Sequence, residues 1–430
     1  MLFRIFCVFF AFFALLLSKL SNADQMVGLQ KLSLEQAIQI AEEYNHDLRL
    51  SVSSVASAGA AKIIASAAPN PMLTIQTFNI NPAAGIGAGN LRNKTVDSTI
   101  RIDQLIERGG KREFRTENAA DLEEAARKDM EDMHRQLRVN VSQAYYDLLA
   151  AEQKREITRQ TVSLYESTVT AAQKRQKAGD ISLADVARLQ VDAMAAQNDV
   201  TQAEADIAKA KQALALVLGQ TASASAINLT DSWPAIKFND VEPSAVLIEQ
   251  RSDVLAAKAR LEAALATRKL ARASRSRDVS VGVQYEHFPA SDSNPQGSGN
   301  SYGIAVQVPL FARYSFDGEI KAAEAAVTQA QENLEKTRDM ARNDLANSWQ
   351  DARASYLRVK QYEDGLLAAA KKSSDAAEFA YKNGALGVMD VLDARRTLRA
   401  TQLDALAARA NFAKSVAAMQ AAVALSENNR

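Results

Sequence analysis

Apolar residues recur at steps of three and four along most of this chain. Leu122, Ala126, Met130, Met133, Leu137, Val141, Ala144 and Leu148 form one such stripe, the spacing of a helix with one buried face. The pattern predicts very long helical stretches over 112–178 and 313–382. At 1.5 Å per residue, about 65 to 70 residues reach roughly 100 Å. A Gly-containing turn reverses each stretch into a further helix, 182–218 and 387–425. A shorter helix precedes each, 33–67 and 241–275. Between shorter and longer helices the period changes from 3.6 to 2. Val279, Val281, Val283 and Tyr285 alternate with Ser280, Gly282, Gln284 and Glu286. Ile304, Val306 and Val308 oppose Gly303, Ala305 and Gln307, and Ile100 and Ile102 alternate with Arg101 and Asp103. Four strands are predicted, roughly 71–80, 97–107, 279–288 and 302–311, the first alternating least clearly. Gly/Asn/Ser-rich loops, 81–96 and 289–301, join them in pairs.

The whole order is written twice. Ala178-Gly-Asp-Ile-Ser-Leu-Ala-Asp-Val186 parallels Asn383-Gly-Ala-Leu-Gly-Val-Met-Asp-Val391. Gly179 and Gly384 are 205 residues apart, as are Asp185 and Asp390. The seam Val186, Leu189, Ala193, Ala196, Val200 keeps register with Val391, Ala394, Leu398, Thr401, Ala405. Asn45-His-Asp-Leu48 precedes Arg251-Ser-Asp-Val254 by 206. The division is a first repeat over 24–220, an aperiodic linker over 221–240 and a second repeat over 241–430.

The first 23 residues are different material. Arg4 precedes an apolar run from Ile5 to Leu17, and Ser21-Asn22-Ala23 supplies small residues for cleavage before Asp24, the form of a secretory signal. The only cysteine, Cys7, leaves with it, and Arg4-Ile5-Phe6 before it is no lipoprotein site. The mature chain is expected to be exported, cysteine-free and not lipidated. Losing Arg4 and Lys19 leaves 49 basic residues against 51 acidic, a balance that gives no reason for nucleic-acid binding. No other stretch is expected to be long and apolar enough for a membrane helix. His46, His134 and His287 fall in three different elements, so no metal-ligand pair is predicted. No catalytic constellation and no nucleotide motif appear. The chain reads as a non-enzyme without a cofactor.

Four strands of about ten residues suit a tilted membrane crossing, yet four cannot close a barrel, and open edges are not tolerated in lipid. Two chains supply eight strands with little lumen; three supply twelve and a usable pore. The other reading is a soluble periplasmic coiled-coil adaptor or scaffold with a half-buried sheet.

Over nearly the whole mature chain the sequence resembles the TolC-like outer-membrane efflux proteins. The resemblance is carried by Leu32-Ser-Leu-Glu-Gln-Ala-Ile-Gln-Ile-Ala, Asn45-His-Asp-Leu48, Arg251-Ser-Asp-Val254 and Met389-Asp-Val-Leu-Asp-Ala394. Gln104-Leu-Ile-Glu-Arg-Gly-Gly-Lys-Arg112 looks like the strand-to-helix turn of the heavy-metal (cobalt–zinc–cadmium) branch. The family implies a mainly helical, duplicated chain that trimerises. Its twelve-stranded β-barrel stands in the outer membrane and a twelve-helix α-barrel runs through the periplasm. Such ducts serve an inner-membrane pump, here of the resistance-nodulation-division type, through a periplasmic adaptor. The cargo so implied is divalent heavy-metal cations, with multidrug efflux and type I protein secretion as alternatives.

The resemblance also assigns residues. Asp390 and Asp393, three apart on one helix face, become two carboxylate rings at the periplasmic gate of a trimer; otherwise they are solvated acids. Asp185 is the repeat-equivalent of Asp390, and Tyr381 matches a family gate tyrosine. Where the best-known relatives carry a tethering arginine, this chain has Leu386, with Arg188, Arg395 or Arg396 as possible substitutes. Gly179, Ile181, Leu183, Gly384, Leu386 and Val388 form the tips expected to dock the adaptor. Gly109 and Gly110 bend the chain where a strand leaves the membrane, with Arg108, Lys111 and Arg112 expected along the lipid interface.

Overall fold

The computed structural model describes residues 29–78, 80, 96–290, 297 and 299–423. The predicted signal peptide and most of both Gly-rich loops lie outside them. In chain order the elements are α1 (Leu34–Tyr44), α2 (His46–Ser66), β1 (Met72–Phe78), β2 (Asp97–Ile106), α3 (Lys111–Lys177) and α4 (Leu183–Val217). The second half repeats them as α5 (Ser252–Ala273), β3 (Val279–Phe288), β4 (Gly299–Gln307), α6 (Asp317–Gln361), α7 (Leu367–Lys382) and α8 (Val388–Val423). Short 3₁₀ segments cover Thr221–Ala226 and Ala245–Gln250.

Several boundaries differ from the sequence reading, each for a local reason. The helix expected over 33–67 is two helices. Asn45 is extended between them (φ −63°, ψ 129°), and its Oδ1 accepts the Leu48 N–H at 3.1 Å, which caps α2. Its Nδ2 donates to the Val217 carbonyl at 2.9 Å. The second repeat breaks at the equivalent place, where Arg251 is extended and α5 starts after it. The fourth strand ends at Gln307 rather than 311, because Pro309 has no N–H for a ladder. The helix expected from 313 begins at Asp317 and is interrupted by a π turn at Tyr362–Leu366, which contains Gly365. α2 itself corrects the expectation of no further candidate span. Its 21 residues reach a mean hydropathy of 1.2 over a membrane-length window, because no charge falls between Arg49 and Lys62.

Contacts divide the described chain into two units, each drawing on both repeats. One takes residues up to Val52, Met130–Ser252 and those from Arg338 onward. Its largest core packs Leu32, Val141, Tyr145, Leu148, Leu214, Leu218 and Ile227. The aperiodic linker is part of that core. Leu229 bridges to Leu32, Asp231 accepts the Leu34 N–H at 2.7 Å, and Trp233 stacks on Tyr146 at 6.0 Å. The buried Tyr145 hydroxyl donates to the Leu32 carbonyl at 3.0 Å, and burial pushes its pKa up.

The other unit is Ser53–Asp129 with Asp253–Thr337 and holds an antiparallel sheet in the order β1-β2-β3-β4. Ile75 faces Ile100, Ile100 faces Tyr285 and Tyr285 faces Tyr302. That register joins the alternation of all four strands. One face carries Leu73, Ile75, Ile100, Ile102, Val281, Val283, Tyr302, Ile304 and Val306. The other carries Thr74, Gln76, Arg101, Asp103, Gln284, Glu286 and Ser301. The apolar face is bare, with Ile75 66% and Ile304 80% exposed.

Candidate functional site

The two helix reversals are built alike. Gly179 (φ +85°) and Gly384 (φ +75°) take the left-handed conformation that ends a helix. Asp180 N–H closes onto the Arg175 carbonyl at 3.0 Å, and Ala385 N–H onto that of Ala380 at 2.8 Å. No heavy atom lies within 4 Å of an added Cβ at either glycine, so the backbone angle alone demands glycine. Each following helix opens with an aspartate bound to its own start. Ser182 Oγ donates to Asp185 at 2.7 Å and accepts the Asp185 N–H at 3.1 Å. Gly387 N–H donates to Asp390 Oδ2 at 3.1 Å. Asp390 and Asp393 stand exposed in the first turns of α8. Both aspartates of the matched pair, Asp185 and Asp390, therefore serve as helix-starting acids, which complement the helix dipole.

The apolar tip residues separate. Leu183 is 72% and Leu386 39% exposed, whereas Val388 is buried at 7%. Val388 packs with Tyr381, Val391 and Leu392, and Ile181 lies partly against the same cluster. Of the apolar residues expected at the tips, Leu183 and Leu386 are exposed, and so is Met389 at 49%; Ile181 and Val388 are not. Val388 turns inward because it opens the buried stripe of α8.

Tyr381 is buried, and the Arg175 guanidinium lies 5.1 Å from its ring centroid, a cation–π contact. Arg175 also donates to the Tyr381 carbonyl at 3.3 Å. Of the three candidate substitutes for the arginine replaced by Leu386, Arg395 reaches across three helices. Its Nη1 donates to Thr168 Oγ1 and, at 3.4 Å, to the Leu164 carbonyl. Its Nη2 meets Glu378 at 3.1 Å, with the side chain 4% exposed. Arg396 pairs with Asp192 at 2.7 Å, and Arg188 stays on its own helix, 3.9 Å from Asp185. Sequence reasoning missed Arg175, Thr168 and Glu378. The available signal was Arg395 itself, a charge four residues after Val391 on a buried face.

At the other glycine turn, Gly109 and Gly110 have φ of +77° and +75°. A Cβ on Gly109 would lie 2.5 Å from Ser276 Oγ, so the turn is also a close approach. Lys111 does not face outward as expected. Its Nζ binds Asp278 and the Ser276 carbonyl, both at 2.8 Å, and its side chain is 12% exposed. Of the three cations expected along the interface, Arg108 and Arg112 are exposed. Arg115, unremarked in the sequence, clamps Glu107 at 2.7 Å and the Ala65 carbonyl at 2.9 Å. Among the described residues no cluster of His, Cys, Asp and Glu could hold a metal ion.

The pairing of Glu378 with Lys382 and Arg395 should make the tip sensitive to acid. The hydrogen bond from Lys382, with that from Arg395, outweighs burial and holds Glu378 below the usual carboxylate range. A depressed folded pKa contributes stability above the unfolded value near 4.3 and loses it as pH falls through the folded one. Replacing Arg395 by Met should cost about 2–3 kcal/mol, less than for a wholly buried pair because Glu378 is 26% exposed. Limited proteolysis between Glu378 and Arg396 should become faster. The thermal-midpoint gap between wild type and Glu378→Gln should close on acidification below about pH 4; a gap independent of pH would contradict the network.

A family model described as outer membrane efflux protein matches residues 37–220 and 245–425. The chain is 25% identical over 376 residues to a cobalt-zinc-cadmium resistance protein of Cupriavidus metallidurans, covering 85% of this chain and 84% of that one. It is equally 25% identical over 392 residues to a pyoverdine export outer membrane protein of Pseudomonas putida, covering 86% and 81%. Crystal structures of CusC superpose with a TM-score of 0.76 over 91% of each chain at 20% identity. The duplicated match, the two like reversals and the two-faced sheet agree, and the chain belongs to the outer membrane efflux protein family.

Proposed function

We propose that three copies of this chain form the exit duct of a tripartite efflux system for divalent heavy-metal cations. Family membership makes the chain an outer-membrane efflux channel and not an enzyme. The finer reading rests above all on the sheet. Across the middle of the sheet one face is apolar and bare and the opposite face polar, and among the described residues β1 and β4 end the sheet with unpaired edges. Lipid accepts the first face and forbids the edges. Three copies in a ring close twelve strands, with the polar face inward. The long helices of each copy then continue the duct into the periplasm. Leu183, Leu386 and Met389 at the tips meet a periplasmic adaptor, which couples the duct to a pump of the resistance-nodulation-division type. Export begins with cleavage before Asp24, without lipidation.

The metal assignment draws on the resemblance of the 104–112 turn and on the cobalt-zinc-cadmium resistance relative. Pyoverdine export, named for a relative of equal identity, is the second reading. Deleting the gene should raise sensitivity to cobalt, zinc and cadmium ions. Raised sensitivity to dyes and detergents alone would replace the metal reading by general efflux, and a siderophore-export defect alone by the second.

The gate is read as rings of Asp390 and Asp393. Both stand exposed at the start of α8, and three-fold symmetry would turn each into three converging carboxylates, which attract cations and add a desolvation barrier. The double replacement by Ala should raise single-channel conductance in a planar bilayer and weaken cation selectivity. Unchanged conductance and selectivity with intact trimers would place the constriction elsewhere.

A further inference from the structure

Two glycines on the polar face of the sheet have an unusual setting. Gly282 is the one buried residue of β3, although it faces the open side of a single-layered sheet. What buries it is the pair Arg101–Asp103 on the adjacent strand. Arg101 Nη2 lies 2.7 Å from Asp103 Oδ1, and Arg101 Nε 2.8 Å from Asp103 Oδ2. The two side chains lie down over Gly282. A Cβ there would fall 2.3 Å from Asp103 Oδ1 and 3.1 Å from Arg101 Nε. The arrangement recurs one strand on. Gln284 lies over Gly303, where a Cβ would fall 2.9 Å from Gln284 Cγ and 3.0 Å from its Nε2. From there Gln284 donates to Glu286 at 2.8 Å.

We infer that Gly282 and Gly303 set the bore and the charge of the lumen wall, by receiving Arg101–Asp103 and Gln284 flat against the sheet. The inference rests on the reading of the polar face as a pore lining. A long side chain upright in a barrel of twelve strands takes width from the lumen; laid across a glycine of the next strand it takes little. The fold-over also fixes charge. Arg101 neutralises Asp103 within one copy, so the wall at that level carries no net ring of either sign. Cargo there meets a smooth, polar, neutral surface, and the charge rings lie elsewhere along the duct.

The experiment uses full-length protein in planar bilayers, with neutral polyethylene glycols of graded size added from the extracellular side, so that the barrel is probed independently of the tips. Gly282→Ala should lower the largest polymer admitted by at least one size step. Adding Arg101→Ala and Asp103→Ala to Gly282→Ala should restore entry, a rescue that a merely structural glycine would not give. Arg101→Ala alone should raise the cation-over-anion permeability ratio about two-fold, and Asp103→Ala should lower it by a similar factor. If Gly282→Ala fails to assemble, Gly303→Ala, which displaces the uncharged Gln284, supplies the same size test. A wild-type pore whose polymer cut-off is unchanged in the glycine variants overturns the inference alone. Absence of any pore in the wild type overturns the duct reading first.

Discussion

Hydrocarbon contains no water to satisfy a free N–H or carbonyl, so a strand there must be paired on both edges. β2 and β3 meet that condition within one chain, because each lies between two neighbours. Among the described residues β1 and β4 each keep one edge unpaired, while two apolar rows, Leu73-Ile102-Val283-Ile304 and Ile75-Ile100-Tyr285-Tyr302, run across all four strands. Such a sheet is stable neither alone in lipid nor as a water-facing surface, where Tyr302, Ile304 and Val306 would stand exposed. Ring closure resolves both conflicts together. It pairs the last edges and gives the apolar face to lipid and the polar face to the lumen.

Duplication supplies the regularity that closure needs, and divergence supplies the function. Each repeat gives one strand pair, one glycine reversal and one helix-starting aspartate. At the tips the copies part. Asp393 stands in the second repeat where the first has Arg188, and the buried Arg395 stands where the first has Gln190. The two reversals share a backbone and differ in charge along the helix that follows, where the first repeat has Asp185 and Arg188 and the second Asp390 and Asp393. Arg395 ties α3, α7 and α8 together through Thr168, Leu164 and Glu378.

Much of this was legible in the sequence. The alternation of Val279, Val281, Val283 and Tyr285 survives because one side of a strand had to be apolar. The glycine turns were legible because helix reversal requires a left-handed residue. The end of β4 was legible too, in Pro309, but the apolar run through Phe311 concealed it. Its start at Gly299 was not, since Gly299 and Asn300 carry no strand signal and are recruited by pairing with Phe288 and His287. The break at Asn45 was hidden by a helical period that runs through it. Arg395 was legible as a candidate tether, but its partners were not, because Thr168 lies 227 residues away and meets it only through packing. Lys111 looked like an interfacial cation until the turn brought Asp278 beside it.

Closure is tested most directly at the two bare edges. Cysteine pairs on the polar face, with Thr74→Cys or Gln76→Cys on β1 and Ser301→Cys, Ala305→Cys or Gln307→Cys on β4, would be placed in a chain with Cys7 replaced by Ser and oxidised in membranes. Ring closure between copies predicts that at least one pairing yields covalent dimers and trimers on a denaturing gel, reversed by thiol, with no larger species and none from single-cysteine controls. Monomer from every pairing, in protein shown to reach the outer membrane, would contradict it.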